Sequence, residues 1–209
     1  MSLILFSRQE IQCKIVYYGP GRCGKTTNLQ YIHSRIPGNV KGKMISIDTK
    51  GDKTLFFDFL PLDLGKAGGL SIRIQLYTVP GQVHYNATRK LVLRGVDGIV
   101  FVADSLNAIR DHNIESLQNL EENLEEYGLN IHNIPLVMQY NKRDLEGRGI
   151  PILAVQDLER DLNAKLQVPS FPASAVEGYG VFDTLRAISK WVAKEVSRRI
   201  RGREKAASS

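Results

Sequence analysis

The sequence predicts an α/β protein with a mostly parallel sheet of six or seven strands, one antiparallel edge strand, and helices on both faces. Three observations predict it. Strand-like and helix-like segments alternate along the 209 residues, the pattern of strand–helix–strand crossovers. One strand, 98–103, is a short apolar run with no alternation, and 135–140 reads as another buried strand, as expected where helices cover both faces of a sheet. A glycine-rich loop, Gly19-Pro20-Gly21-Arg22-Cys23-Gly24-Lys25-Thr26, joins a strand to a helix, a junction typical of open α/β sheets.

The elements follow in order. Cys13-Lys14-Ile15-Val16-Tyr17-Tyr18 reads as a buried strand, and 26–36 as the helix after the loop. A polar stretch from Gly38 to Asp52 comes next. Residues 55–60 and 71–77 read as a hairpin, with Pro61, Gly65, Gly68 and Gly69 as turn formers between them. The hairpin supplies the antiparallel edge strand. After the strand 98–103, Ile114, Leu117, Leu120, Leu124 and Tyr127 recur at helical spacing. Beyond the strand 135–140, Leu158, Leu162 and Leu166 mark another helix, and 171–174 a last short strand. Val181, Leu185, Ile188, Val192, Val196 and Ile200 form one stripe of a closing helix. With no repeat and no linker, residues 1–201 are expected to form one domain, and 202–209 a disordered basic tail.

Composition sets limits. Hydrophobic content of 43% and charged content of 24% suit a globular domain. No apolar run approaches membrane-spanning length, and the short apolar run after Met1 has no basic region before it, unlike a signal peptide. Two cysteines, Cys13 and Cys23, are too few for a disulfide framework and fit a reducing cytosol. Cys23 reads as a plain small loop residue, or as a thiolate activated by Lys25 and the helix start. Net charge is +6, but Lys190, Lys194, Arg198, Arg199, Arg201, Arg203 and Lys205 face only Glu195 and Glu204 at the C-terminal end. The body is therefore near neutral, so the overall positive charge is no argument for a nucleic-acid footprint across the fold, and no nucleic-acid partner is expected. The basic end is either a solvated helix terminus whose cations suit the dipole or a contact for anionic lipid or an acidic partner. His33, His84, His112 and His132 are scattered, without metal-ligand spacing.

The glycine loop carries the first chemistry. It fits G-x-x-x-x-G-K-[ST], a phosphate-binding P-loop. Backbone N–H groups of Gly19 to Thr27 can curl around phosphates at a helix N-terminus, where the dipole favours negative charge. Lys25 is placed for the β- and γ-phosphates, and the Thr26 hydroxyl for Mg²⁺.

A second motif, Asn141-Lys142-Arg143-Asp144, directly follows a strand. Ligands of open α/β sheets sit beyond the carboxyl ends of the strands, so this loop shares an edge with the P-loop. One carboxylate accepts the two adjacent donors of guanine, which makes Asp144 the base reader. Adenine would leave that charge unmatched. Asn141 suits the base edge, and the Lys142 stem the ring. After the last strand come Ser174-Ala175-Val176, where the Ala175 N–H is placed for the guanine oxygen.

Together these pieces resemble the Ras-like small GTPases, P-loop NTPases with a single G domain, over nearly the whole chain. The closer resemblance is to the bacterial MglA group, known for cell polarity and gliding motility. It is carried by Ile15 to Gly21, Thr54 to Leu62, Leu76 to Gln82 and Leu93 to Ser105. The resemblance implies that Gln82, after Gly81, orients the attacking water, and that Thr54 joins Mg²⁺ only when a γ-phosphate is present. The stretch from Gly38 to Asp52 would be the loop that rearranges.

Two departures stand out. Most small GTPases carry Asp-x-x-Gly for the metal, whereas this chain has Thr78-Val79-Pro80-Gly81, a feature shared with the MglA group. Asp58, an acid in an apolar strand, is either the missing carboxylate or an edge residue facing solvent. The group also commonly carries a cis arginine before the switch threonine. Here Lys53 stands there and lacks the planar fork. Arg22 is a candidate substitute.

The expectation is a GTP/GDP switch that hydrolyses GTP slowly with Mg²⁺. The alternative is a weakly hydrolysing GTP-bound scaffold, favoured by Lys53 and Thr78. The resemblance implies a cytoplasmic protein that works at a cell pole, with a Roadblock-type MglB activating partner and effectors such as RomR. No carboxyl-terminal prenylation box is present.

Overall fold

The computed structural model describes residues 3–5, 10–48, 56–67, 70–82 and 85–207. The strands are β1 Leu3–Leu5, β2 Glu10–Tyr18, β3 Ile45–Asp48, β4 Phe56–Ala67, β5 Leu70–Thr78, β6 Gly98–Asp104, β7 Leu136–Asn141 and β8 Ser170–Pro172. The helices are α1 Lys25–Arg35, α2 Asn86–Leu93, α3 Arg110–Glu125, α4 Val155–Leu158 and α5 Val181–Ala207. The sheet runs β3-β4-β5-β2-β6-β7-β8. The pairs β5–β2, β2–β6, β6–β7 and β7–β8 are parallel, as expected.

The antiparallel part is larger than the sequence suggests. Strand β4 pairs antiparallel with β5, but β3 pairs antiparallel with β4 and takes the edge. β3 comes from the polar 38–52 stretch. Strand β1 adds a third antiparallel pair on β2. Pro61 and Gly65, expected in a turn, lie inside β4. The β4–β5 register shifts between Asp63 and Lys66, where Gly65 has φ 82°. This is a bulge that absorbs an extra residue without ending the strand.

Period-two alternation divides the core. From β2, Ile11, Cys13, Ile15 and Tyr17 face one layer with Leu29 and Ile32 of α1 and Val181, Leu185, Ile188, Val192 and Val196 of α5. Val16 and Tyr18 face the other, with α2, α3 and α4. Both layers bury their strands, which is why 98–103 carries no polar alternation, while the buried Gln139 of β7 is satisfied by Asn28 and Thr184.

Three elements differ from their sequence patterns. Helix α3 is rotated: Ile114 and Tyr127 are exposed, while Asn113, Ser116, Asn119 and Asn123 are buried beside Leu120 and Leu124. Helix α4 passes into a π-helical turn, Glu159–Asn163. Helix α5 continues past Gly202 to Ala207, where the sequence reading ends order at 201. No helix among the described residues is long and apolar enough to cross a membrane.

Candidate functional site

The carboxyl ends of β2, β6 and β7 and the start of β8's following turn converge on one edge of the sheet. The loop after β2 passes directly into α1. Gly24 stands before the helix with φ 100°, and no side chain caps it. The first N–H groups of α1 are therefore free of a side-chain cap at a positive helix end, an arrangement that suits an anion.

A cavity of about 600 Å³ opens there, lined by the P-loop, Ser46 of β3, Asp58 of β4, Thr78 at the end of β5 and Val79 to Gly81 after it. Lys25 is 7% exposed, and its Nζ donates to the carbonyls of Gly19 (3.0 Å) and Pro20 (2.6 Å). Burial pushes its pKa down, with the nearby Arg89 adding to it and Cys23 and Asp58 opposing it only in part, because desolvating the ammonium disfavours its charged form. An anion in the cavity would supply a countercharge.

Asp58 is 7% exposed, which excludes the solvent-facing alternative. Its Oδ2 accepts from the Thr26 hydroxyl at 2.6 Å and the Thr78 hydroxyl at 2.8 Å. Its Oδ1 accepts from the Ser46 hydroxyl at 2.7 Å. The Thr78 oxygen also accepts from the Asp58 N–H at 2.8 Å. A buried acid in an apolar strand is thus compensated by three hydroxyls. Sequence reading singled out Asp58, Thr26 and Thr78 but missed Ser46. Ser46 arrives only through the register that sets it opposite Asp58.

Gly81 abuts the P-loop so closely that a Cβ there would lie 2.2 Å from the Gly21 Cα and 2.7 Å from the Pro20 oxygen. Only glycine fits this approach. Gln82 is exposed and, with Gly21, Arg22, Gly81 and Arg89, lines a neighbouring cavity of about 470 Å³. Arg22 has φ 61° and is exposed, and it borders all three cavities at this edge. Lys53 and Thr54 lie outside the described residues.

The third cavity, about 160 Å³, is lined by Gly24, Thr27, Asn141, Lys142, Asp144, Leu145, Ala175 and Val176. Its walls are braced. Asn141 Nδ2 donates to the Cys23 carbonyl at 2.7 Å, tying β7 to the P-loop, and its Oδ1 accepts from the Ala175 N–H at 2.8 Å. That N–H, expected to face guanine, donates to Asn141 in this structure. Lys142, in the left-handed region at φ 71°, pairs through Nζ with the buried Asp104 at 2.5 Å. Asp104 is a residue the sequence reading did not use. Ser174 closes its own turn, its hydroxyl accepting from the Glu177 N–H at 3.2 Å, while Val176 is 67% exposed at the rim. Cys23 is fully buried and burial raises its thiol pKa. The structure therefore selects the plain loop residue over the activated thiolate.

Compared with known proteins, the chain is 54% identical over 198 residues to the mutual gliding-motility protein MglA of Myxococcus xanthus (strain DK1622), covering 95% of this chain and 99% of that protein. It is 25% identical over 190 residues to the Ras-related protein Rab7 of Prunus armeniaca, covering 88% of this chain and 83% of that one. The Rab7 of Pisum sativum is likewise 25% identical, with 88% and 84% covered. No family model matches the chain.

Proposed function

The chain belongs to the MglA group of Ras-like small GTPases, and from that premise we propose that the three adjoining cavities are one guanine-nucleotide site whose γ-phosphate end sets a polarity or motility switch. The observation that carries this reading is the shared sheet edge. A P-loop at an uncapped helix start and a carboxylate-bearing pocket are joined there by the Asn141–Cys23 hydrogen bond.

Each residue has a role in this reading. Backbone N–H groups from Gly19 to Thr27 and the Lys25 ammonium hold the phosphates. Asp144 reads guanine, the Lys142 stem lies against the ring, and Asn141 braces the pocket instead of reading the base. The oxygen donors around Asp58 suit a hard cation, and Mg²⁺ is the ion such nucleotides carry. Thr26, Asp58 and, when a γ-phosphate is present, Thr54 hold it. Bound there, the ion neutralises charge on the β- and γ-phosphate oxygens. Lys25 and Thr26 turn from their present protein partners toward the nucleotide. Gln82 orients the attacking water by position, not as a base. Lys53 lacks the fork that bridges two phosphate oxygens, so intrinsic hydrolysis is slow, with Arg22 as the second cation at hand.

In this reading the protein is cytoplasmic and acts at a cell pole. Its hydrolysis is accelerated by a Roadblock-type partner like MglB, and its GTP form is read by effectors like RomR. Lys190, Lys194 and Arg198 are exposed one helical turn apart on α5 and offer a contact for an acidic partner or anionic lipid.

Single-turnover GTP hydrolysis with and without a Roadblock-type partner tests the proposal. Slow turnover that the partner accelerates is the expected result. Tight GTP binding with no turnover in either case selects the scaffold alternative, which Lys53 and Thr78 favour. Lys53→Arg is expected to speed intrinsic hydrolysis, and an unchanged rate would show that this position is not limiting.

A further inference from the structure

Helix α2 escaped the sequence reading, yet its Arg89 is fully buried. A buried guanidinium is costly unless its N–H groups are satisfied. Among the described residues no carboxylate pairs with it. Its partners are instead Pro80 O (Nε, 2.9 Å), Gly81 O (Nη2, 2.6 Å) and Asn119 Oδ1 (Nη1, 2.7 Å). The guanidinium carbon lies 5.1 Å from the centre of the Tyr18 ring.

The two carbonyls belong to the two residues immediately before Gln82. The other partners are fixed from behind. The Tyr18 hydroxyl donates to Asn119 Oδ1 at 2.7 Å, and Asn123 Nδ2 donates to the Tyr18 oxygen at 3.0 Å and to Asn86 Oδ1 at 2.8 Å. Tyr18 is the last residue of β2, next to Gly19 of the P-loop. One fork therefore ties the segment entering Gln82 to α3 and, through Asn119 and Tyr18, to the root of the P-loop.

We infer that Arg89 is the positioning residue for Gln82. It holds the peptide planes before Gln82 in one orientation, so that the Gln82 amide sits where water must be held. The inference rests on the reading of Gln82 as the water-orienting group. The geometry explains why the residue is arginine. In a trans peptide, C=O and N–H point in opposite directions. Fixing the Pro80 oxygen on Arg89 turns the Gly81 N–H away from α2, and fixing the Gly81 oxygen does the same for the Gln82 N–H. A single ammonium lacks the rigid fork that holds two successive carbonyls and an amide oxygen at once. An apolar side chain of similar volume would fill the space at less electrostatic cost, but it would orient neither peptide.

The test is a double-mutant cycle on single-turnover GTP hydrolysis, using the full chain as wild type, Gln82→Ala, Arg89→Lys and the double variant, with GDP release measured on each. If Arg89 acts through Gln82, Arg89→Lys slows hydrolysis about tenfold or more, leaves GDP release within about twofold, and adds nothing in the Gln82→Ala background. Multiplicative losses in the double variant overturn the inference, because Arg89 then acts elsewhere. GDP release that speeds up in proportion also overturns it, because the role is then general packing. If Gln82→Ala hydrolyses normally, the reading of Gln82 fails first, and the inference falls with it for that identifiable reason. Should Arg89→Lys not fold, Asn119→Ser removes one acceptor of the fork and is expected to give a smaller loss, again absent in the Gln82→Ala background. An additive loss there overturns the inference equally.

Discussion

The base end and the phosphate end of the site are built differently. At the base end the protein has already made its own contacts. Asn141 bridges Cys23 and Ala175, and Lys142 is pinned by Asp104. In the proposed reading a base ring enters beside Asp144 with these contacts kept. At the phosphate end, Lys25 donates to two P-loop carbonyls and Thr26 donates to Asp58. In the proposed reading those bonds satisfy groups that turn toward a nucleotide when it binds. A preassembled pocket gives affinity and selectivity because little ordering remains to be done. A pocket whose donors exchange partners gives two states, which a switch requires.

Perturbations at the two ends should differ in kind. The largest effect is expected at the base end: Asp144→Ala should weaken GDP binding by about a thousandfold and erase the preference over ADP, as read by displacement of a labelled nucleotide. Equal losses for both nucleotides would show that Asp144 does not read the base. Next, Lys25→Ala removes a charge-assisted hydrogen bond and should weaken GDP and GTP by about a hundredfold without altering the choice of base. Asn141→Ala leaves the Cys23 carbonyl and the Ala175 N–H without their partner. It should lower stability by about 2 kcal/mol, seen in denaturant melts, and speed GDP release. Asp58→Asn should raise the Mg²⁺ concentration for half-maximal hydrolysis about tenfold while barely changing metal-free GDP binding. An unchanged metal requirement would reduce Asp58 to a structural acid.

The smallest effect concerns the thiols. Burial raises both pKa values, Cys13 to about 12 with the nearby Asp97 carboxylate adding to it. A raised thiol pKa means less thiolate at a given pH. At pH 8 only about one Cys13 in ten thousand is ionised, so folded protein should resist disulfide exchange reagents and react more readily as pH rises. Rapid labelling of Cys23 alone would mean that the P-loop opens far more often than the braced base end implies.

Legibility of the sequence followed the range of the interactions. The P-loop, the base loop and the parallel strands are local or periodic patterns, and their chemistry is written in consecutive residues. Asp58 was conspicuous because an acid in an apolar strand demands a partner, yet its partners lie 12, 20 and 32 residues away. Helix α3 misled for a physical reason. Its apolar spacing points to Ile114, Leu117, Leu120, Leu124 and Tyr127, but the buried face carries Asn119 and Asn123, which complete the network around Tyr18 and Arg89. An arginine within a short helix reads as a solvated charge until tertiary packing places carbonyls around it.

The sequence by itself determined the sheet's parallel half and the loops that gather at its edge, because glycine conformations, helix starts and apolar runs act over a few residues. The tertiary structure alone decided that β3 takes the edge and sets Ser46 opposite Asp58, that Ala175 serves Asn141, and that Arg89 grips the segment before Gln82. Each of these depends on register or burial between distant elements, where the strength of a hydrogen bond is set by what the fold has excluded from water.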